Sequence, residues 1–207
     1  MNYRQRHLVP LIIILLIPVV AFGNIPDINN CSIGTRATED VSVMICPHCD
    51  GYAYSAAQLF GGAYMEATIE VYIRNSAGQG IPGIDPGDIL LGAPNVVFCP
   101  GGNEPDYPTD PNGYTQFALP SCGGGCSENF ELGGYLSGAP FLQNPIPHIK
   151  INSPDTNADL VVNLIDLSAF TAAYYSPTTY CFDYYWDGVM NLLDLALFSQ
   201  HYDHQCQ

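Results

Sequence analysis

Across residues 68–74 the chain alternates. Ile69, Val71 and Ile73 are apolar, and Thr68, Glu70, Tyr72 and Arg74 between them are polar or amphipathic. A period of two marks a strand with one face on a core. This strand runs into a turn, Asn75-Ser76-Ala77-Gly78-Gln79-Gly80-Ile81-Pro82-Gly83, rich in residues that accept special backbone angles. Thr109-Asp110-Pro111-Asn112-Gly113 reads as a second tight turn that feeds a strand over 114–119. Segments 41–45, 89–91, 95–99, 130–136 and 148–151 are further strand candidates. Past residue 150 the period changes. Leu164, Leu167, Phe170 and Tyr174 recur at helical spacing, as do Leu192, Leu195, Phe198 and Tyr202. Two short helices are expected, each with one apolar face, and the two faces should pack together.

The first apolar run is of another kind. Residues 8–20 follow Arg4, Arg6 and His7 and precede Ala21-Phe22-Gly23, the layout of a secretory signal with cleavage before Asn24. The rival is a retained anchor, for which the run falls short of the ~20 residues a span requires. No later segment is apolar enough to cross a membrane. The mature chain is therefore expected to be secreted and soluble, extracellular or at a cell surface. Five Lys and Arg stand against 20 carboxylates, a net charge of −15, and loss of the leader removes Arg4 and Arg6 but no acid. Such a surface repels nucleic-acid phosphates and attracts cations. Abundant Gly and Pro point to strands and turns, so 24–150 reads as one β domain and 151–207 as a separate small module. Only Ser153-Pro154 joins the last strand candidate to that module. So short a joint implies packing of one part on the other; the alternative is a hinge at Pro154.

Residues 155–202 contain one pattern written twice. Asp155, Asp159, Asn163, Asp166, Phe170 and Tyr174 recur 28 residues later as Asp183, Asp187, Asn191, Asp194, Phe198 and Tyr202. Oxygen donors at loop positions 1, 3, 5, 7, 9 and 12, with a backbone carbonyl at 7, wrap a hard cation. Loop one supplies Asp155, Asn157, Asp159, the Val161 carbonyl, Asn163 and Asp166; loop two supplies Asp183, Asp187, the Val189 carbonyl, Asn191 and Asp194. Calcium is the cation this donor set implies. Two departures are visible. Leu160 stands where position 6 favours glycine, as Gly188 does in loop two, and Tyr185 at position 3 offers no suitable oxygen.

The doubled D-x-N-x-D…N-x-x-D-L motif resembles dockerin modules, the duplicated calcium-loop domains that bind cohesin modules of bacterial extracellular scaffolds. An EF-hand would carry a helix before each loop and Glu at position 12, where this chain has Asp. The resemblance implies a cohesin-like partner, recognised in part by loop positions 10 and 11, here Leu164-Ile165 and Leu192-Leu193. Either the partner surface is apolar, or these four residues are buried on the β domain and lock the chain intramolecularly. The order E-V-Y-I-R-N-S-A-G-Q-G-I-P-G followed by T-D-P-N-G-Y-T-Q-F resembles bacterial immunoglobulin-like and transthyretin-like sandwiches. The expected fold is thus mainly β, an immunoglobulin-like β-sandwich followed by a small α module.

Eight cysteines in an exported chain read first as disulfides. Cys181 and Cys206 flank the second repeat and could clasp it, and Cys122 with Cys126 could close a small loop. Cys46, Cys49, Cys122 and Cys126 also have zinc-ligand spacing, and Cys46-Pro47-His48-Cys49 resembles thioredoxin-like redox sites. His201 and His204, at the end of the second helix, would complement its dipole. No nucleophile or metalloprotease motif is present, and Glu39, Asp40, Glu66, Glu70, Asp85, Asp88 and Glu104 offer no obvious catalytic pair. Tyr52, Tyr54, Phe60 and Tyr64 could stack on sugars or pack in a core. The reading is a non-catalytic calcium-binding docking protein; the alternative is a carbohydrate-active enzyme or polysaccharide-binding domain carried by a dockerin.

Overall fold

The computed structural model describes residues 24–174 and 179–207. The expected leader, residues 1–23, lies outside them. Twelve strands and two helices follow in order: β1 (Ser32–Thr35), β2 (Val41–Met44), β3 (Ala57–Leu59), β4 (Tyr64–Met65), β5 (Ile69–Tyr72), β6 (Ile89–Gly92), β7 (Val96–Phe98), β8 (Tyr114–Phe117), β9 (Gly123–Gly125), β10 (Gly133–Leu136), β11 (Ala139–Pro140), β12 (Ile149–Asn152), α1 (Leu164–Ala173) and α2 (Leu192–Gln200). The chain is mainly β with a small helical part.

The alternation read at residues 69–73 is that of β5. Ile69, Val71 and Ile73 are fully buried, whereas Glu70 and Tyr72 are half-exposed. β5 is the centre of an antiparallel sheet, β1-β5-β8. The turn before β8 is built by Asp110, whose Oδ1 accepts from the amides of Asn112 (2.7 Å) and Tyr114 (2.9 Å). A second sheet is ordered β11-β10-β6, a third β12-β2-β3-β4, and β7 pairs with β9. Ile69, Val71, Ile89, Leu91, Val41, Val43, Ile149 and Ile151 from these sheets meet in one core, closed by Phe117, Phe141 and Tyr54. Full burial of each aliphatic side chain stabilises the fold by about 1.5–3 kcal/mol.

β12 lies parallel to β2, with Ile149 opposite Val41 and Asn152 opposite Met44. The chain therefore leaves the β part from inside a sheet, and Ser153 and Pro154 are buried there, so the joint is packed as the short connection implies. A second apolar cluster, Met44, Val162, Phe170, Tyr184, Met190 and Phe198, spans both parts. The helices meet as expected, with the Phe170 and Phe198 rings 5.8 Å apart, and Tyr184 stacks on Phe170 at 6.0 Å. The apolar faces differ from expectation at their ends. Leu164 and Leu192 point to solvent, and Leu167, Phe170, Leu195 and Phe198 make the contact. Polar bonds reinforce the seam: Ser42 Oγ and the Tyr180 hydroxyl lie 2.8 Å apart, and Asn152 Nδ2 donates to the Asp183 carbonyl at 3.2 Å.

Three disulfides form, Cys49–Cys122, Cys99–Cys206 and Cys126–Cys181. The Cys181–Cys206 clasp and the Cys122–Cys126 loop do not. Between Cys122 and Cys126 the chain is the extended strand β9, which at ~3.3 Å per residue holds the two Cα atoms well beyond the ~7 Å a disulfide spans. Cys181 and Cys206 are instead each bonded to the β part, so two covalent links cross the seam. These pairings, the disulfides expected first, also consume three of the four cysteines that had zinc-ligand spacing as an alternative, and Cys49 is joined to Cys122 rather than to Cys46 in a redox pair.

Because the Cys126–Cys181 bridge fixes the start of the second repeat, the C126S/C181S double variant should lose about 2–5 kcal/mol of stability. Chemical denaturation of the oxidised proteins measures it; an unchanged midpoint would contradict the covalent seam.

Candidate metal-binding loops

Each repeat opens on an enclosed carboxylate. Asp155, Asp166 and Asp194 are 0% exposed and Asp183 is 2% exposed. In loop one Asp155 accepts from the amides of Asp159 (3.2 Å) and Leu160 (2.8 Å), and Asp159 accepts from Val161 N at 3.0 Å. Asp166 reaches back to Thr156 N (2.8 Å) and Asn163 N (2.9 Å), while Asn163 caps α1 through Ile165 N at 2.7 Å. Loop two repeats this scheme. Asp183 accepts from Asp187 N (3.1 Å) and Gly188 N (2.8 Å), and Asp187 accepts from Val189 N at 2.9 Å. Asp194 accepts from Tyr185 N (2.9 Å) and Asn191 N (2.8 Å), and Asn191 caps α2 through Leu193 N at 2.7 Å. Both helices thus begin with a capping box whose Asp is also the twelfth loop residue.

The backbone turns match as well. φ is 57° at Ala158 and 68° at Leu160, against 44° at Trp186 and 83° at Gly188. Leu160 therefore adopts the left-handed conformation that its loop position demands, at a cost of about 1–2 kcal/mol. Tyr185 turns away from loop two. Its phenol lies over Gly62, where any Cβ would collide with it. The departures foreseen from the sequence are both visible.

Loop one is roofed by the β part. The amide of Gly125 donates to the Asp155 carbonyl at 2.7 Å, and the Ser153 hydroxyl donates to Gly123 O at 3.4 Å. A Cβ on Gly124 would overlap the Asp155 carboxylate, so β9 must be glycine where it crosses the loop.

The charge here is uncompensated. Burial pushes the Asp155 carboxyl up to about 6, and the neighbouring Asp166 and Asp159 charges add to the shift. Burial likewise raises Asp183 and Asp194, each with further carboxylates beside it. Among the described residues no Lys or Arg forms an ion pair with either loop; Lys150 lies over the Phe130, Tyr180 and Trp186 rings instead. A carboxylate has about four lone-pair sites, so the amides above leave acceptor capacity on each. Enclosed oxygens with spare lone pairs, like charges and no cationic side chain are a donor set suited to a hard divalent cation. The residues present fit calcium, with loop one the fuller set.

Other candidates have structural partners. Glu70 pairs with Arg36 at 2.6 Å, Asp40 with His148 at 2.9 Å, and Asp85 accepts from Gly87 N at 2.9 Å. Glu104 and Asp106 line a cleft of about 380 Å³, but Asp106 accepts from the amides of Ala118 (3.1 Å) and Leu119 (3.3 Å). Tyr54 is buried, and Phe60 meets Trp186 edge-on at 5.8 Å. His201 and His204, expected to serve the α2 dipole, face Asp50 at 3.3 and 3.2 Å, a long-range pairing with no local sequence signal. No protein-family model, curated protein or solved structure matches the chain.

The raised Asp155 sets a pH dependence. Between pH 3.8 and about 6 the folded, metal-free chain keeps a proton on Asp155 that the unfolded chain has released. Stability from this group therefore falls as pH rises through that window, by on the order of 3 kcal/mol. Denaturation of chelator-treated protein should show a decline between pH 4 and 6.5 that is reduced in Asp155→Asn. A rise with pH that Asp155→Asn leaves unaltered would contradict the burial argument.

Proposed function

We propose that the chain is an exported, non-catalytic calcium-binding protein whose dockerin-like repeats dock a β-sandwich of immunoglobulin-like type onto a cohesin-like module of another protein. Calcium, held by Asp155, Asn157, Asp159, the Val161 carbonyl, Asn163 and Asp166, and by Asp183, Asp187, the Val189 carbonyl, Asn191 and Asp194, supplies the positive charge that the buried carboxylates lack. Its effect would be to fix both helix starts on the β part.

The observation that carries this reading is a matched pair of exposed aliphatic dipeptides. Leu164 (68% exposed) and Ile165 (59%) open α1; Leu192 (71%) and Leu193 (50%) open α2 at the equivalent positions. Asn163 and Asn191 present them identically through the same capping box. Their exposure favours a partner over the intramolecular alternative, since none of the four is buried on the β part, against which Tyr184 and Met44 pack and two disulfides hold the repeats. An apolar cleft of about 300 Å³ lined by Phe170, Thr171, Tyr174, Leu192 and Leu195 continues the surface between the helices. Solvent-exposed aliphatic pairs with nearby apolar relief favour a protein partner over a polysaccharide.

The test is capture of the oxidised protein on immobilised cohesin modules, in saturating calcium and in chelator. Calcium-dependent binding weakened at least tenfold by L164S/L192S is expected. These positions are exposed, so the variant should keep its stability. Binding indifferent to calcium or to L164S/L192S, or no capture by any cohesin module, would overturn the docking reading.

A further inference from the structure

Beyond the two loops, a different set of donors converges where the C-terminal tail crosses the start of the β part. Cys46, Asp50, His201 and His204 each place a ligand atom within 4.8 Å of all the others. We propose that these four residues form a structural site for a borderline divalent cation of the zinc class.

The four side chains direct their donor atoms into one small space. Asp50 Oδ1 is 3.3 Å from His201 Nδ1, and Oδ2 is 3.2 Å from His204 Nδ1. Yet both nitrogens are buried and make no hydrogen bond, and His201 is only 6% exposed. A four-coordinate shell takes one Asp50 oxygen, so one of these two contacts already has the length of a tetrahedral edge, and the remaining donors lie within 4.8 Å of one another. For zinc bonds of about 2.0 Å such an edge is about 3.3 Å long. One thiol, two imidazoles and one carboxylate are soft and borderline donors, which suit zinc and not calcium. With four protein ligands the shell is closed, which makes the site structural.

The cysteine inventory supports the assignment. Six of the eight cysteines are in disulfides, and Cys31 and Cys46 are free and buried. The Cys31 sulfur lies against the Arg74 backbone, 3.5 Å from its carbonyl and 3.4 Å from its amide. Cys46 is fully buried and faces Asp50. Both arms of the site are fixed covalently. Cys49, next to Asp50, is bonded to Cys122, and Cys206, two residues past His204, is bonded to Cys99. The amide of Val162 donates to the His204 carbonyl at 2.9 Å, which settles the tail onto the loop-one side. The metal would tie the residue 46–50 segment to the tail, independently of calcium.

The experiment uses the oxidised full chain in saturating calcium. Thiol titration in denaturant should find two free thiols. Cobalt(II) added alone should then give a thiolate-to-cobalt charge-transfer band and the intense visible absorption of a four-coordinate centre, at one equivalent. Zinc should displace it, with zinc affinity read by competition against a chromophoric chelator. Cys46→Ser and the partly exposed His204→Gln should each lower that affinity at least tenfold and, for Cys46→Ser, abolish the charge-transfer band. Asp187→Ala in loop two should leave the spectrum unchanged. Fewer than two free thiols, a weak six-coordinate spectrum without the charge-transfer band, or zinc affinity unaffected by both variants would overturn the site. His204→Gln keeps its circular dichroism if the fold is intact, so loss of metal and loss of fold are distinguishable.

Discussion

The backbone of β9 lies directly on Asp155, and the rest of the arrangement depends on that contact. Gly125 donates to the Asp155 carbonyl, and Gly124 leaves room for the Asp155 carboxylate where any Cβ would intrude. The residues that flank the strand, Cys122 and Cys126, are both cross-linked, the latter to the repeats themselves. A strand of three glycines thereby becomes a rigid roof over the first loop. It makes the β part and the repeats a single packed body at this seam, with Tyr184 and Met44 filling the space beneath.

Packing of the repeats also creates an electrostatic demand. Carboxylates that would be solvated in an isolated loop are taken out of water, by the roof at Asp155 and by burial at Asp183 and Asp194, and burial raises all three. Backbone amides meet part of the demand, since each loop directs several N–H groups at its first and twelfth residues. They carry no net charge, however, and a cluster of like charges is relieved fully only by protons or a cation. Calcium, as proposed, would link metal binding to stability by mass action. It would also account for the acids that a chain with so few charges places in these loops. The exposed Leu164, Ile165, Leu192 and Leu193 then stand on helix starts whose positions the metal would hold.

Much of this was legible in the sequence. The alternation of Ile69, Val71 and Ile73 located β5, and the other strand candidates fall on β2, β6, β7, β8, β10 and β12. The 28-residue repeat located both loops and both helix starts, and Tyr185 and Leu160 were recognisable as departures. What stayed hidden depends on contacts between distant segments. β9 reads as a glycine loop because its strand character comes from pairing with β7 and from the atoms that forbid a Cβ. Disulfide partners follow spatial approach, so Cys181 and Cys206 reach across the seam instead of pairing around their own repeat. His201 and His204 sit at helical spacing from nothing informative; only the folded tail brings them to Cys46 and Asp50.

Calcium binding by the duplicated loops is decided by calorimetric titration of calcium into chelator-stripped, oxidised protein, with Asp166→Ala and Asp194→Ala beside it. Two saturable sites are the expected result, the tighter one lost in Asp166→Ala and the weaker one, short of a ligand at Tyr185, lost in Asp194→Ala. Absence of binding heat, together with no rise in the thermal midpoint on adding calcium, would contradict it and leave the repeats as capped helices on a β scaffold.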